Sequence, residues 1–88
     1  MLKIKDDVDL KELENHGFLK ESWFDNQIVY VKPILDKFKK NNYKIAEIQI
    51  SKQDKEIMLD YYEQYNTYFD DTLYDLIQAG LVEKVEEN

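Results

Sequence analysis

The spacing of apolar and polar positions changes along this chain, and each change marks an element. Over Gln27–Lys32, Ile28 and Tyr30 alternate with Val29 and Val31 in a run rich in β-formers, which predicts a strand. Ahead of it, Leu10 and Leu13 fall on one face of a predicted short helix, Leu10–Asn15. Asp9 stands at the cap of that helix with Glu12 three residues on, a variant of the capping box, and Gly17 suits the left-handed residue that ends it. Phe18–Phe24 is aromatic and closes on Asp25-Asn26, a turn pair. Trp23, Phe24, Ile28 and Tyr30 are expected in the core.

Pro33 either closes the strand or opens a helix at its first turn. Ile34, Leu35 and Phe38 lie at helical spacing, and Lys37, Lys39 and Lys40 suit a helix C-terminus. A helix over Ile34–Lys40, stopped by Asn41-Asn42, is therefore expected. Tyr43–Ile50 reads as a strand with Ile48 and Ile50 on one face, and Ala46-Glu47 leaves room for a bulge. Ser51–Tyr68 supports two readings. As a helix, Ser51 is the cap, Asp54 follows three residues on, and Ile57, Tyr61, Tyr65 and Tyr68 form a stripe. As a strand, Ile57, Leu59 and Tyr61 alternate with Met58, Asp60 and Tyr62, and Lys52–Lys55 is a hairpin loop. Further on, Asp70 or Asp71 caps a helix through Ala79 with Leu73, Leu76 and Ile77 as its apolar face. Gly80 ends it, and Leu81–Val85 reads as a final short strand.

Length and composition narrow the classes. Eighty-eight residues, 43% hydrophobic and 35% charged, fit one small domain, 1–88, and not a disordered chain. The absence of cysteine excludes disulfides, thiol catalysis and thiolate metal sites, and a single histidine excludes zinc sites that need two or three imidazoles from one chain. No apolar run approaches ~18 residues, and Met1–Asp7 lacks the apolar core of a signal peptide. These features predict a soluble protein of the cytoplasm.

Charge changes the picture more. The formal net charge is −7, but residues 1–53 sum to +1 and residues 54–88 to −8. Between Glu56 and Asp75 there are six acids, no base, and five of the seven tyrosines. Such a surface repels phosphate, so direct binding of DNA or RNA is not expected. It attracts basic surfaces, many of which exist to hold nucleic acid. Tyrosines supply large, rigid contacts with a polar tip, and carboxylates pair with Arg and Lys. The candidate partner-binding residues are therefore Asp60, Tyr61, Tyr62, Glu63, Tyr65, Tyr68, Asp70, Asp71 and Asp75. The competing reading of this stretch is a solvated acidic face with tyrosines half in the core.

Catalytic chemistry finds little support. The adjacent acids Asp6-Asp7 and Asp70-Asp71 sit just before predicted helices, where capping accounts for them. A magnesium or calcium site at Asp70, Asp71 and Asp75 lacks the Asp-x-Asp-x-Asp-Gly loop that would support it. His16, before Gly17, suits the negative end of a helix dipole. Ser22 and Ser51 have no nucleophile-elbow glycines, and no glycine loop could cradle a phosphate. Neither catalysis nor a cofactor or metal is expected.

Two segments together resemble the opening and the ending of small proteins from Firmicutes and from their phages and prophages. They are Ile4–Phe18, IKDDVDLKELENHGF, and Asp71–Val85, DTLYDLIQAGLVEKV, about a third of the chain. The resemblance implies a bacterial or phage setting and short strands and hairpins in the middle, which favours a strand over Glu56–Tyr62. It brings no activity, so no site residue carries over.

The expected fold is α+β: a small, mostly antiparallel sheet, a short N-terminal helix, and a helix near the C-terminus ending in a strand. The expected function is that of a non-catalytic inhibitor, phage-derived, that occupies the basic groove of a nucleic-acid-binding protein, in the manner of an anti-CRISPR or anti-restriction protein facing a host nuclease. Two alternatives stand beside it. One is a structural or regulatory accessory protein that forms a homodimer through its exposed tyrosines. The other is a winged-helix regulator, with Tyr43–Ser51 read as a second helix and turn and Leu81–Val85 as the step into a wing.

Overall fold

A computed structural model describes residues 1–35, 44–61 and 70–86. The chain opens with strand β1, Leu2–Ile4, and a 3₁₀ helix, Leu10–His16. Three strands of an antiparallel meander follow: β2, Leu19–Ser22; β3, Ile28–Leu35; and β4, Lys44–Ser51. Strand β5, Ile57–Tyr61, completes the four-stranded sheet in the order β2-β3-β4-β5. Helix α1, Asp70–Gln78, and strand β6, Val82–Lys84, come last, and β6 pairs antiparallel with β1. The class is α+β with antiparallel sheets. The Ile4 N–H donates to the Lys55 carbonyl at 2.8 Å, and Lys3 bridges to Glu56, so β1 joins the two-stranded ribbon to the start of β5.

Local chemistry sets the N-terminal helix as expected. The Asp9 carboxylate accepts from the Lys11 N–H at 3.0 Å, and Gly17 takes φ 87°, a region that favours glycine. The helix is wound as 3₁₀, and Leu10 and Leu13 are buried. Asp25 and Asn26 both sit at φ 60°, which turns the chain from β2 into β3.

Two expectations need correcting. Pro33 does not end β3, nor does a helix begin at Ile34: Pro33, Ile34 and Leu35 remain in the strand, paired with Glu47, Ala46 and Lys44. β2 reaches no further than Val31, so β3 has an edge beyond that point, where a proline's missing N–H costs no ladder bond. The rest of the expected helix, 36–40, lies outside the described residues, as does Tyr43. Further on, Ile57–Tyr61 is a strand in register with Ala46–Ile50, and the helical reading of that segment fails because alternate residues, not every fourth, face the core.

Strand alternation gives the sheet two faces. Tyr30, Ile34, Ala46, Ile48 and Ile50 point into one core with Ile4, Leu10, Leu13, Phe18, Ile45 and Leu76. Ile28, Ile57, Leu73, Leu81 and Val82 pack against that core. Val29 and Val31 are also buried, but they alternate with Tyr30 and stand outside the core cluster, on the opposite face. Two further expectations fail here. Phe24 is 93% exposed and Trp23 39% exposed, because both lie in the β2–β3 turn beyond the reach of the core. Ile77 is exposed on α1 as well.

Candidate functional site

The expected acidic, tyrosine-bearing surface divides between elements. α1 carries no basic residue, and Leu76 buries one side of it against the core, with Thr72 buried and Leu73 half-buried. Helical spacing then turns Asp71, Tyr74 and Asp75 outward together. Tyr74 is 61% exposed between the two exposed carboxylates. Asp70 is the first residue of the helix, where an acid suits the dipole. Tyr74 is one of the five tyrosines of the acidic stretch but not one of the nine candidate partner-binding residues. Its position three after Asp71 and one before Asp75 was the available signal.

Asp60 is placed elsewhere. It alternates with Ile57 and Leu59, so it lies on the sheet face away from the core, whereas α1 covers the core side. Tyr61 ends β5. Tyr62, Glu63, Tyr65 and Tyr68 lie outside the described residues. The nine candidates therefore do not make one patch among the described residues: Asp70, Asp71 and Asp75 share the helix, and Asp60 belongs to the other side of the sheet.

Asp60 has a neighbour that sequence gave no reason to pair with it. Glu47 is directly opposite on β4. The Glu47 carboxylate accepts from Gln49 Nε2 at 2.7 Å and pairs with Lys44 Nζ at 3.3 Å.

A groove of about 480 Å³ runs beside the 3₁₀ helix, lined by Asp9, Lys11, Glu14, Lys20, Tyr30 and Lys52 among others. Its charges are mixed, so it presents no single sign to a ligand. Burial, and then the nearby charges of Glu14 and Asp9, push the Tyr30 hydroxyl above its ordinary value of 10.0. Lys55 also lines it. At φ 61° it aims Nζ at the carbonyls of Asp6 and Val8, 3.0 Å from each. That ammonium is engaged in holding the N-terminal loop.

Among the described residues, no group of three or more His, Cys, Asp or Glu side chains could hold a metal ion, and no helix is long and apolar enough to cross a membrane. Compared with protein families, curated proteins and solved structures, the chain matches none.

Proposed function

We propose that this protein is a non-catalytic, acidic protein-binding inhibitor that occupies the basic, nucleic-acid-binding groove of another protein. The observation that carries the reading is the outer face of α1, where Tyr74 stands exposed between Asp71 and Asp75 on a helix without a base. An aromatic flanked by carboxylates suits a surface rich in Arg and Lys, with the tyrosine supplying contact area and the carboxylates charge-assisted hydrogen bonds. The −8 balance over 54–88 adds attraction at longer range. The resemblance to small phage and prophage proteins supports a bacterial or phage setting, in which the partner would be a host defence nuclease and the chain an anti-CRISPR or anti-restriction protein working in the bacterial cytoplasm.

A winged-helix regulator would need a helix over Tyr43–Ser51, where β4 runs from Lys44 to Ser51. The self-associating accessory protein keeps one supporting observation, the exposed Tyr74 and Ile77 on α1.

The test immobilises the full chain and measures retention of a basic nuclease from bacterial lysate, with duplex DNA or RNA added as competitor. Displacement by nucleic acid and by high salt, together with loss of retention in Asp71→Lys/Asp75→Lys, is the expected result. Retention that is indifferent to nucleic acid and to the charge reversal would overturn the reading. A mass that rises with concentration in light scattering would favour the homodimer.

A further inference from the structure

We propose that the groove beside the 3₁₀ helix is a small-molecule site, built for a phosphomonoester that also carries an amino group. It is independent of the partner surface on α1 and uses none of its residues. The charges of the groove separate once those already engaged are set aside. Asp9 accepts from the Lys11 N–H, and the Lys55 ammonium is held by the carbonyls of Asp6 and Val8. Lys11, Glu14, Lys20 and Lys52 also line the groove, and all four are exposed. None of their charged groups makes a hydrogen bond or ion pair with a described residue. Three cations and one anion therefore stand uncommitted around one groove.

Tyr30 is the residue that points to a ligand. It is only 6% exposed, yet its hydroxyl has no hydrogen-bond partner among the described residues. No buried side-chain oxygen or nitrogen among them lacks a partner, so this hydroxyl is not sealed inside but opens to the groove that Tyr30 lines. Burial, with Glu14 and Asp9 nearby, keeps it protonated at neutral pH and therefore a donor. Register sets a cation beside it: Lys20 on β2 is directly opposite Tyr30 on β3, and the two share one side of the sheet. Lys52 lies one residue past β4, where its N–H donates to the Ile28 carbonyl at 2.9 Å.

The donor set selects the ligand. A phosphomonoester brings nearly two negative charges and three acceptor oxygens, which three ammonium groups and a hydroxyl can satisfy. Lysine serves phosphate as a point charge, without the fork geometry that favours arginine. A carboxylate, with one charge, would balance only one of the three lysines. Glu14 repels a bare anion but pairs with an amine, so a ligand of both signs suits the groove better than phosphate alone. A volume of about 480 Å³ leaves room for a body that joins the two groups. All its lining residues except Lys55 fall within residues 1–53, the half of the chain that sums to +1.

The full chain is titrated with O-phosphoethanolamine, inorganic phosphate and ethanolamine, by calorimetry and by phosphorus NMR. The expected result is saturable, one-site binding of phosphoethanolamine, weaker by about tenfold for inorganic phosphate and absent for ethanolamine. Lys20→Gln with Lys52→Gln is expected to weaken binding by about tenfold or more. Glu14→Gln is expected to narrow the preference for phosphoethanolamine over phosphate. Lys84→Gln, which removes an exposed cation on β6, is expected to leave binding intact, as is Asp71→Lys/Asp75→Lys. The Tyr30 ring resonances of the unsubstituted chain, which should move with phosphoethanolamine, keep the test valid if a variant folds poorly. No saturable response at millimolar ligand would overturn the proposal. So would undiminished binding in the Lys20/Lys52 variant, or equal affinity for phosphate and phosphoethanolamine. None of these outcomes bears on the α1 reading.

Discussion

Glu47 and Asp60 face each other across the β4–β5 ladder, two carboxylates directly opposed on a sheet face away from the core. Residues so opposed have Cβ atoms only about 5 Å apart, and like charges there destabilise a sheet. Lys44 and Gln49 both turn to Glu47, which offsets part of the repulsion.

Asp60→Asn should therefore stabilise the protein, by roughly 0.2–1 kcal/mol. The measurement is the midpoint of urea unfolding at neutral pH, with the slope unchanged. A lower midpoint would show that Asp60 makes a favourable interaction that outweighs its opposition to Glu47.

Lys55 ties the β4–β5 turn to the loop before the 3₁₀ helix through two carbonyls, those of Asp6 and Val8. Lys55→Met keeps the apolar stem and loses both bonds, and should cost about 1–3 kcal/mol. The backbone term separates from this one, because Lys55 sits at φ 61°. Lys55→Gly should be more stable than Lys55→Ala by roughly 1 kcal/mol, although both lack the ammonium. Equal midpoints for glycine and alanine would mean that the turn relaxes out of the left-handed region.

What could be read from sequence was what local chemistry decides. Asp9 and Gly17 delimit the N-terminal helix because a cap and a left-handed residue act within one turn of chain. The alternation at Ile28–Val31 gave a strand for the same reason. Pro33 misled because its meaning depends on whether a neighbouring strand extends past it, and β2 stops short of it. Ile57 and Tyr61 fit a helical stripe as well as a strand, and only pairing with β4 decides between them. The acids and tyrosines of 56–75 were visible as a run, but a run carries no information about faces: one residue of register sends Asp60 to the far side of the sheet from α1. The opposition of Glu47 and Asp60 is a product of register alone.

Phe18 and Phe24 show the same limit, and they give a sharp contrast. Phe18 is fully enclosed in the core, while Phe24 projects from the turn. Phe18→Ala should cost about 3–5 kcal/mol, enough to unfold much of a domain this size. Phe24→Ser should change stability by less than about 0.5 kcal/mol. Thermal unfolding of the two variants decides it. A large loss at Phe24 would mean that the turn's aromatic residue packs in solution.

Stability should have an acid and an alkaline limb with different owners. The Lys3 ammonium, 2.7 Å from the Asp6 carboxylate, holds that carboxyl below its ordinary value of 3.8 by hydrogen bond and charge. A carboxyl with a depressed folded value stabilises the fold above its unfolded value, and that contribution disappears as pH falls through the folded one. On the other side, the hydrogen bond to Asp6 raises Lys3 above 10.5, and burial raises Tyr30 above 10.0. Their contributions are complete below those ordinary values and are lost as pH rises through the raised ones. Unfolding midpoints measured across pH at fixed ionic strength should thus form a plateau with two shoulders. Asp6→Asn should flatten the acid shoulder, and it should lower the alkaline one only by the part that Lys3 contributes. Tyr30→Phe should lower the alkaline shoulder by the part that Tyr30 contributes, keep the part that Lys3 contributes, and leave the acid one in place. An alkaline limb unchanged in Tyr30→Phe would mean that the hydroxyl ionises as freely in the folded chain as in the unfolded one, and the burial of Tyr30 beside Glu14 and Asp9 would then have no part in it.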